Sequence, residues 1–350
     1  MENLCLHSDE RIDRISDLPD SILNHIVSFL PTEDAFRTIY LSKLWRQVFS
    51  SLSTLDFNQS KFKTSDDFKK FVDYALILHC GSTVQNFMLC IDVNEHISSV
   101  HVKTWISFAI EHNIRDFRLR VRSGHLEKLT CDLFTSSTLT ALTLESIDLK
   151  LPTTISFPKL KIATLVKIKF FDDYSINYLF SSCCCPVLEE LIVLMCNFEE
   201  VKILTISSPT IRVLQLSGFD IGQKIRISTL KLQDLSYLGN GIPNISPEQI
   251  LTSLVKVSLG GFLRSVNCKI STTVCRILAR LSNVVSLSLS AYYVECLTMN
   301  KRLLQSLPPS LCSLKSLNID IRHTKNQVQV IYLLLKSCFC WGPSHRCIDG

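Results

Sequence analysis

Residues 18–31 read Leu-Pro-Asp-Ser-Ile-Leu-Asn-His-Ile-Val-Ser-Phe-Leu-Pro. Set at 100° per residue, Phe29, Ile22, Ile26, Leu30, Leu23 and Val27 share an arc of roughly 160°, with Asp20, Ser21, Asn24, His25 and Ser28 opposite. This pattern predicts an amphipathic helix. Pro19 suits the first helical turn and Pro31 stops the helix. Thr32 is then expected to cap a second helix over 35–41, with Glu33 and Asp34 near its positive end, and Ser42 to cap a third carrying Leu44, Trp45 and Val48. One packing surface needs an arc of only ~100°, so the first helix has apolar surface to spare for a second contact. The alternative is that the surplus covers the open end of whatever follows.

Past residue 50 the period changes. An apolar residue, two spacers, an apolar residue, one spacer and another apolar residue recur at 139–144, 188–193, 211–216, 254–259, 284–289 and 314–319, and in weaker form at 84–89, 114–119, 160–165 and 232–237, with 52–57 as an opener. The fourth residues of the ten copies are Phe87, Phe117, Leu142, Ala163, Leu191, Leu214, Leu235, Val257, Leu287 and Leu317, spaced by 30, 25, 21, 28, 23, 21, 22, 30 and 30. Alternation within each copy predicts a short strand with one buried face, and the spacing leaves room for a return segment. The long returns are expected to be helical over 65–79, 102–111, 173–182, 274–281 and 328–336. Such an array is a solenoid of parallel strands, in which each repeat buries apolar area only against its neighbours.

If the template residues point inward, their neighbours form the open sheet face. Asp116, Arg118 and Arg120 stand there on one strand, followed by Ile162, Thr164 and Val166, by Glu190, Ile192 and Leu194, and by Val213, Gln215 and Ser217. Apolar residues in the middle of a solvated face mark an interaction site. Ile162, Val166, Ile192 and Leu194 are therefore the candidate anchors for a partner, with Arg118 and Arg120 beside them for acidic groups, unless a long loop or the C-terminal tail covers the patch.

Composition narrows the function further. In 350 residues, 46% are hydrophobic and 20% charged, which excludes a mainly disordered chain. The net charge of +5 is mild, and Lys and Arg are scattered apart from 118–122, so no nucleic-acid partner is expected. The acidic N-terminus lacks a secretory signal and no apolar run reaches ~18 residues, which predicts an intracellular protein, in nucleus or cytoplasm, with no membrane contact. The 15 cysteines lie mostly among apolar residues and read as small hydrophobes. Cys338, Cys340, His345 and Cys347 have irregular spacing for zinc, so no metal and no cofactor is expected. Nucleophile elbows, phosphate loops and His-Glu-x-x-His motifs are absent, and no enzyme is predicted.

The repeats, Leu-x-x-Leu-x-Leu at a period near 20–29 residues, resemble leucine-rich repeats. Of the family's turn Asn or Cys, only Cys196 and Asn240 stand in place, so the array is irregular. Residues 13–23, Asp-Arg-Ile-Ser-Asp-Leu-Pro-Asp-Ser-Ile-Leu, and 41–46, Leu-Ser-Lys-Leu-Trp-Arg, resemble an F-box, and the whole resembles plant F-box/leucine-rich-repeat proteins, many with an FBD segment. Leu44 stands where these relatives usually have Arg, and Phe49 where a second Trp is common. After Cys338 the chain leaves the family pattern, and an altered or truncated ending is expected.

The expected fold is thus α/β, a three-helix F-box followed by an irregular leucine-rich-repeat solenoid with a parallel sheet. The boundaries are a flexible terminus 1–12, the F-box 13–50, the solenoid 51–337 and an atypical tail 338–350. The resemblance implies a substrate-recognition subunit of a cullin-based (SCF-type) ubiquitin ligase. Leu18, Pro19, Ile22, Ile26, Leu30, Pro31, Leu41 and Trp45 would then contact a Skp-type adaptor, and through it a cullin, or support that contact, while the repeats bind an unknown protein substrate. The competing reading is a leucine-rich-repeat scaffold outside any ligase.

Overall fold

The computed structural model describes residues 15–79, 83–94, 96–124, 126, 129–219, 224–239, 244–245, 253–261, 268–279, 281–300, 302, 311–320 and 325–336. The expected flexible terminus 1–12 and tail 338–350, Asn240, and the cluster Cys338, Cys340, His345 and Cys347 lie outside the described residues.

Helix α1 spans Asp20–Ser28, and Pro19 sits one step ahead of it as the cap, its carbonyl accepting from the Ile22 and Leu23 N–H groups at 2.8 and 3.1 Å. Helix α2, Thr32–Arg37, begins three residues earlier than the sequence suggested and tightens into a 3-10 turn, Thr38–Tyr40. Pro31, not Thr32, holds the cap position of α2. The Thr32 hydroxyl is buried and accepts instead from the Asp56 N–H at 2.8 Å, tying this helix to the first strand. Ser42 caps α3, Lys43–Ser50, its side chain accepting from the Trp45 N–H.

The solenoid then runs in chain order through β1 (Thr54–Asn58), α4 (Ser65–Leu78), β2 (Asn86–Asp92), α5 (Ser99–Glu111), β3 (Asp116–Ser123), β4 (Ala141–Glu145) and β5 (Asp148–Leu149). It continues through β6 (Ile162–Val166), β7 (Lys169–Phe170), α6 (Asp173–Leu179), β8 (Glu190–Leu194), β9 (Ile203–Ile206), β10 (Val213–Phe219), β11 (Lys224–Ile227), β12 (Asp234–Gly239) and β13 (Asn244–Ile245). The last described elements are β14 (Lys256–Gly260), α7 (Cys268–Leu278), β15 (Ser286–Leu289), α8 (Ala291–Thr298), β16 (Ser316–Ile319) and a final helix, Lys325–Lys336.

Eleven strands form one parallel sheet in the order β1-β2-β3-β4-β6-β8-β10-β12-β14-β15-β16. Its register joins Leu55, Phe87, Phe117, Leu142, Ala163, Leu191, Leu214, Leu235, Val257, Leu287 and Leu317 in one unbroken row. This row is the set of template residues with the opener added. The rows from Leu55 to Leu287 are buried, and the alternation Leu191 and Val193 in, Glu190, Ile192 and Leu194 half-buried shows which face the core takes.

Repeat length decides the return path. Spacings of 21 to 23 residues return through short strands: β5, β9, β11 and β13. The spacing of 28 residues returns through β7 and α6, and spacings of 30 through α5, α7 and α8. A strand covers about 3.3 Å per residue and a helix 1.5 Å, so the extra residues of a long repeat fit the same corner-to-corner distance only when coiled. Phe170 of β7, Phe198, Phe219 of β10 and Tyr237 of β12 stack in sequence inside the solenoid, with ring centroids 5.4, 4.9 and 6.2 Å apart.

Candidate functional site

Helix α1 divides its apolar arc between two surfaces. Leu23 and Val27 are fully buried, whereas Ile22, Ile26, Leu30 and Phe29 are 45%, 40%, 41% and 73% exposed. Scattered exposed apolar side chains are ordinary, but Ile22 and Ile26 stand one turn apart on α1 and exposed Phe29 and Leu30 follow directly at its end, which makes a row; Tyr40 and Leu41 are exposed as well. Pro19 and Pro31 are exposed and Leu18 is half-buried against the core. Trp45 is buried, so it supports the surface from behind and is not part of it. Leu44 is half-buried against the same core and Phe49 is fully buried, meeting Phe36 and His79 edge-on at 5.5 and 5.4 Å.

The module is bonded to the first repeat. His79 is fully buried and its Nε2 lies 2.7 Å from the Leu52 carbonyl. A carbonyl only accepts, so Nε2 carries the proton, and the buried Nδ1 has no hydrogen-bond partner. Burial pushes the His79 pKa down, the Leu52 carbonyl partly opposes this, and His112 adds to it. Sequence reasoning missed this contact, for which a lone His-Cys pair at a helix end gives no sign.

The open sheet face brings the second set of candidates together. Ile162 stands opposite Glu190, Val166 opposite Leu194, and Ile192 between Thr164 and Gln215. Ile162 is 38% exposed and Val166, Ile192 and Leu194 are half-buried. Arg118 and Arg120 are exposed, but each already holds a carboxylate of this chain: Arg118 bonds Asp116 through Nε and Nη2 at 3.1 and 2.7 Å, and Arg120 meets Glu145 at 3.0 Å. Any acidic group of a partner competes with these pairs.

Cys90, Cys131, Cys183, Cys184, Cys185, Cys196, Cys275, Cys296 and Cys312 are free thiols, and among the described residues no group of three His, Cys, Asp or Glu side chains stands where it could hold a metal ion. Burial pushes the Cys185 and Cys196 thiols up to about 12 and Cys275 to about 11, which keeps them protonated. No described helix is long and apolar enough to cross a membrane.

A three-helix module with an exposed apolar flank, fused to a parallel-strand solenoid, defines an F-box/leucine-rich-repeat architecture. The F-box domain family matches residues 15–56, and the family described as FBD-associated F-box protein At5g56370, LRR repeats, matches residues 102–258. F-box/FBD/LRR-repeat protein At5g56420 of Arabidopsis thaliana is 33% identical over 64% of this chain and 55% of its own length. FBD-associated F-box protein At1g66310 is 26% identical over 95% of this chain and 76% of its own length, and F-box protein At4g09920 is 31% identical over 65% and 75%, both from Arabidopsis thaliana. The chain belongs to the F-box/leucine-rich-repeat family with FBD-associated members. It spans between about half and three quarters of the length of these relatives. An F-box joined to leucine-rich repeats points in general to a substrate receptor of SCF type, a role that is typically non-catalytic.

Proposed function

We propose that this chain is the substrate-recognition subunit of an SCF-type ubiquitin ligase inside the cell, with the F-box helices docked on a Skp-type adaptor, which leads to the cullin, and the sheet face holding a target protein. The observation that carries the reading is the split of α1 and its C-terminal end, with Leu23 and Val27 in the core and Ile22, Ile26 and the following Leu30 left out of it. Covering one such side chain is worth about 1.5–3 kcal/mol, and several are needed against the cost of association. The row on α1 together with Leu41 supplies several.

Co-purification with a Skp-type adaptor tests this. Replacing Leu18 and Pro19 by Ala is expected to abolish adaptor capture while the repeats keep their thermal transition. Unchanged adaptor affinity in the double variant would overturn the reading, and a wild-type chain that captures no adaptor would leave the scaffold alternative.

A further inference from the structure

A cavity of about 270 Å³ opens on the sheet face over β1, β2 and β3, with Asp56, Met88, Asp116 and Arg118 around it and Leu55 and Phe87 beneath. That volume lies at the small end of ligand pockets, which run from about 300 to 1,000 Å³, and a single side chain fits in it.

The charges around it are unbalanced. The Asp56 carboxylate is half-buried and no donor among the described residues is bonded to it. The cations whose charge acts on it are bonded to other carboxylates: Lys61 to Glu33, and Arg118 to Asp116 by two hydrogen bonds. Burial pushes the Asp56 pKa up, with Glu33 adding to the rise and Lys61 and Arg118 opposing it, so the net cost of holding this charge exceeds the help its neighbours give. A carboxylate left half-desolvated without a donor is relieved when a cation from outside completes the site. The same cavity offers an apolar wall, because Met88 lies beside Asp56 in the register, a thioether on which an alkyl stem can pack. Arg118 bonds Asp116 through Nε and Nη2 only, leaving Nη1 to donate to a peptide carbonyl.

We propose that this cavity takes a lysine or arginine side chain of the target protein, its stem against Met88 and its charged head on Asp56. The inference rests on the reading of the repeats as the target-binding part. It adds to that reading a chemical requirement, a basic residue at the end of the sheet nearest the F-box.

Met88 reports on the site directly, because the chain has four methionines and, of the three among the described residues, Met88, Met195 and Met299, Met88 alone lines the cavity. The full chain, labelled with ¹³C at the methionine methyls, is titrated with Nα-acetyl-lysine amide, Nα-acetyl-arginine amide and the uncharged Nα-acetyl-norleucine amide. A saturable shift of the Met88 methyl with a basic amide, absent with norleucine and about tenfold weaker in Asp56→Asn, is the expected result. Equal response to norleucine, full binding by Asp56→Asn, or no Met88 response to either basic amide overturns the proposal. Because Asp56 serves Thr32 only through its backbone N–H, Asp56→Asn keeps that tie, and an unchanged thermal transition verifies the variant's fold. The ligase reading is tested separately by adaptor capture: Met88 silent with the adaptor bound sinks this site alone, and Met88 responsive without adaptor sinks the ligase assignment alone.

Discussion

His79 carries a cost that depends on pH. Its Nε2–H holds the Leu52 carbonyl while Nδ1 is buried without a partner, so a second proton would have no acceptor. Folding therefore holds the ring neutral, with a pKa below its ordinary value. The unfolded imidazole titrates near 6.5, so the stability His79 contributes is fully present above about pH 6.5 and falls as pH drops below that toward the lowered folded value. His79→Gln keeps a side-chain donor but does not titrate. We expect its unfolding midpoint to fall less than the wild type's between pH 7.5 and pH 5.5, measured by thermal denaturation; equal losses would show that other groups carry the acid sensitivity.

At the scale of the element, the inner corner of the solenoid shows how the array tolerates irregular sequence. Ser146, Lys167, Met195 and Gly218, each just after or at the end of its strand, adopt φ of 59°, 52°, 52° and 83°. Ser146, Lys167 and Met195 donate their N–H groups to Val166, Leu194 and Ser217 on the next strand at 2.8–2.9 Å. The left-handed turn is thus held by the ladder even where the residue is not glycine, against a cost of about 1–3 kcal/mol. Gly218 has less freedom, because a Cβ there would lie 2.6 Å from the Met195 Cα. Gly218→Ala should therefore destabilise by about 1–3 kcal/mol or more, seen as a lower denaturant midpoint, whereas no change would mean that the corner shifts freely. On the adjoining face, Ile192→Ser with Leu194→Ser is expected to lose target capture and keep adaptor binding. A collapse of thermal stability instead would place those side chains in the core.

The strand positions and inward residues of these elements were legible because period-2 alternation repeats in each copy, and even the weak copy at Ala163 falls in the row. The return strands β9 and β11 and the role of Thr32 were not, since they follow from repeat length and from a contact 24 residues away. The cavity over β1–β3 was hidden for a similar reason. Asp56, Met88 and Arg118 are unremarkable apart, and only the register sets them side by side.

For the whole molecule the decisive feature is the junction. One hydrophobic cluster runs from Leu23 and Val27 through Phe49 and Leu52 into Phe57, Phe71 and the repeats, so the F-box is built on the first turn of the solenoid and does not hang from a tether. Phe36 sits at the centre, edge-on to Phe49, Phe71 and Tyr74 at 5.5, 5.0 and 5.7 Å, and the Thr32–Asp56 and His79–Leu52 bonds flank it. A rigid junction matters to a substrate receptor because it fixes where the sheet face points relative to whatever holds the F-box. Removing the Phe36 ring should cost about 2–4 kcal/mol, somewhat below the range for a fully buried phenylalanine because the ring is only partly buried. In a solenoid, where each repeat leans on its neighbours, the loss should be local first. Hydrogen exchange on Phe36→Ala is expected to show faster exchange in α1, α3 and α4 together, with β14 and β15 at the far end unchanged. If α4 stays protected while only α1 and α3 open, the F-box is a separately hinged unit and its orientation to the sheet is not fixed by this packing.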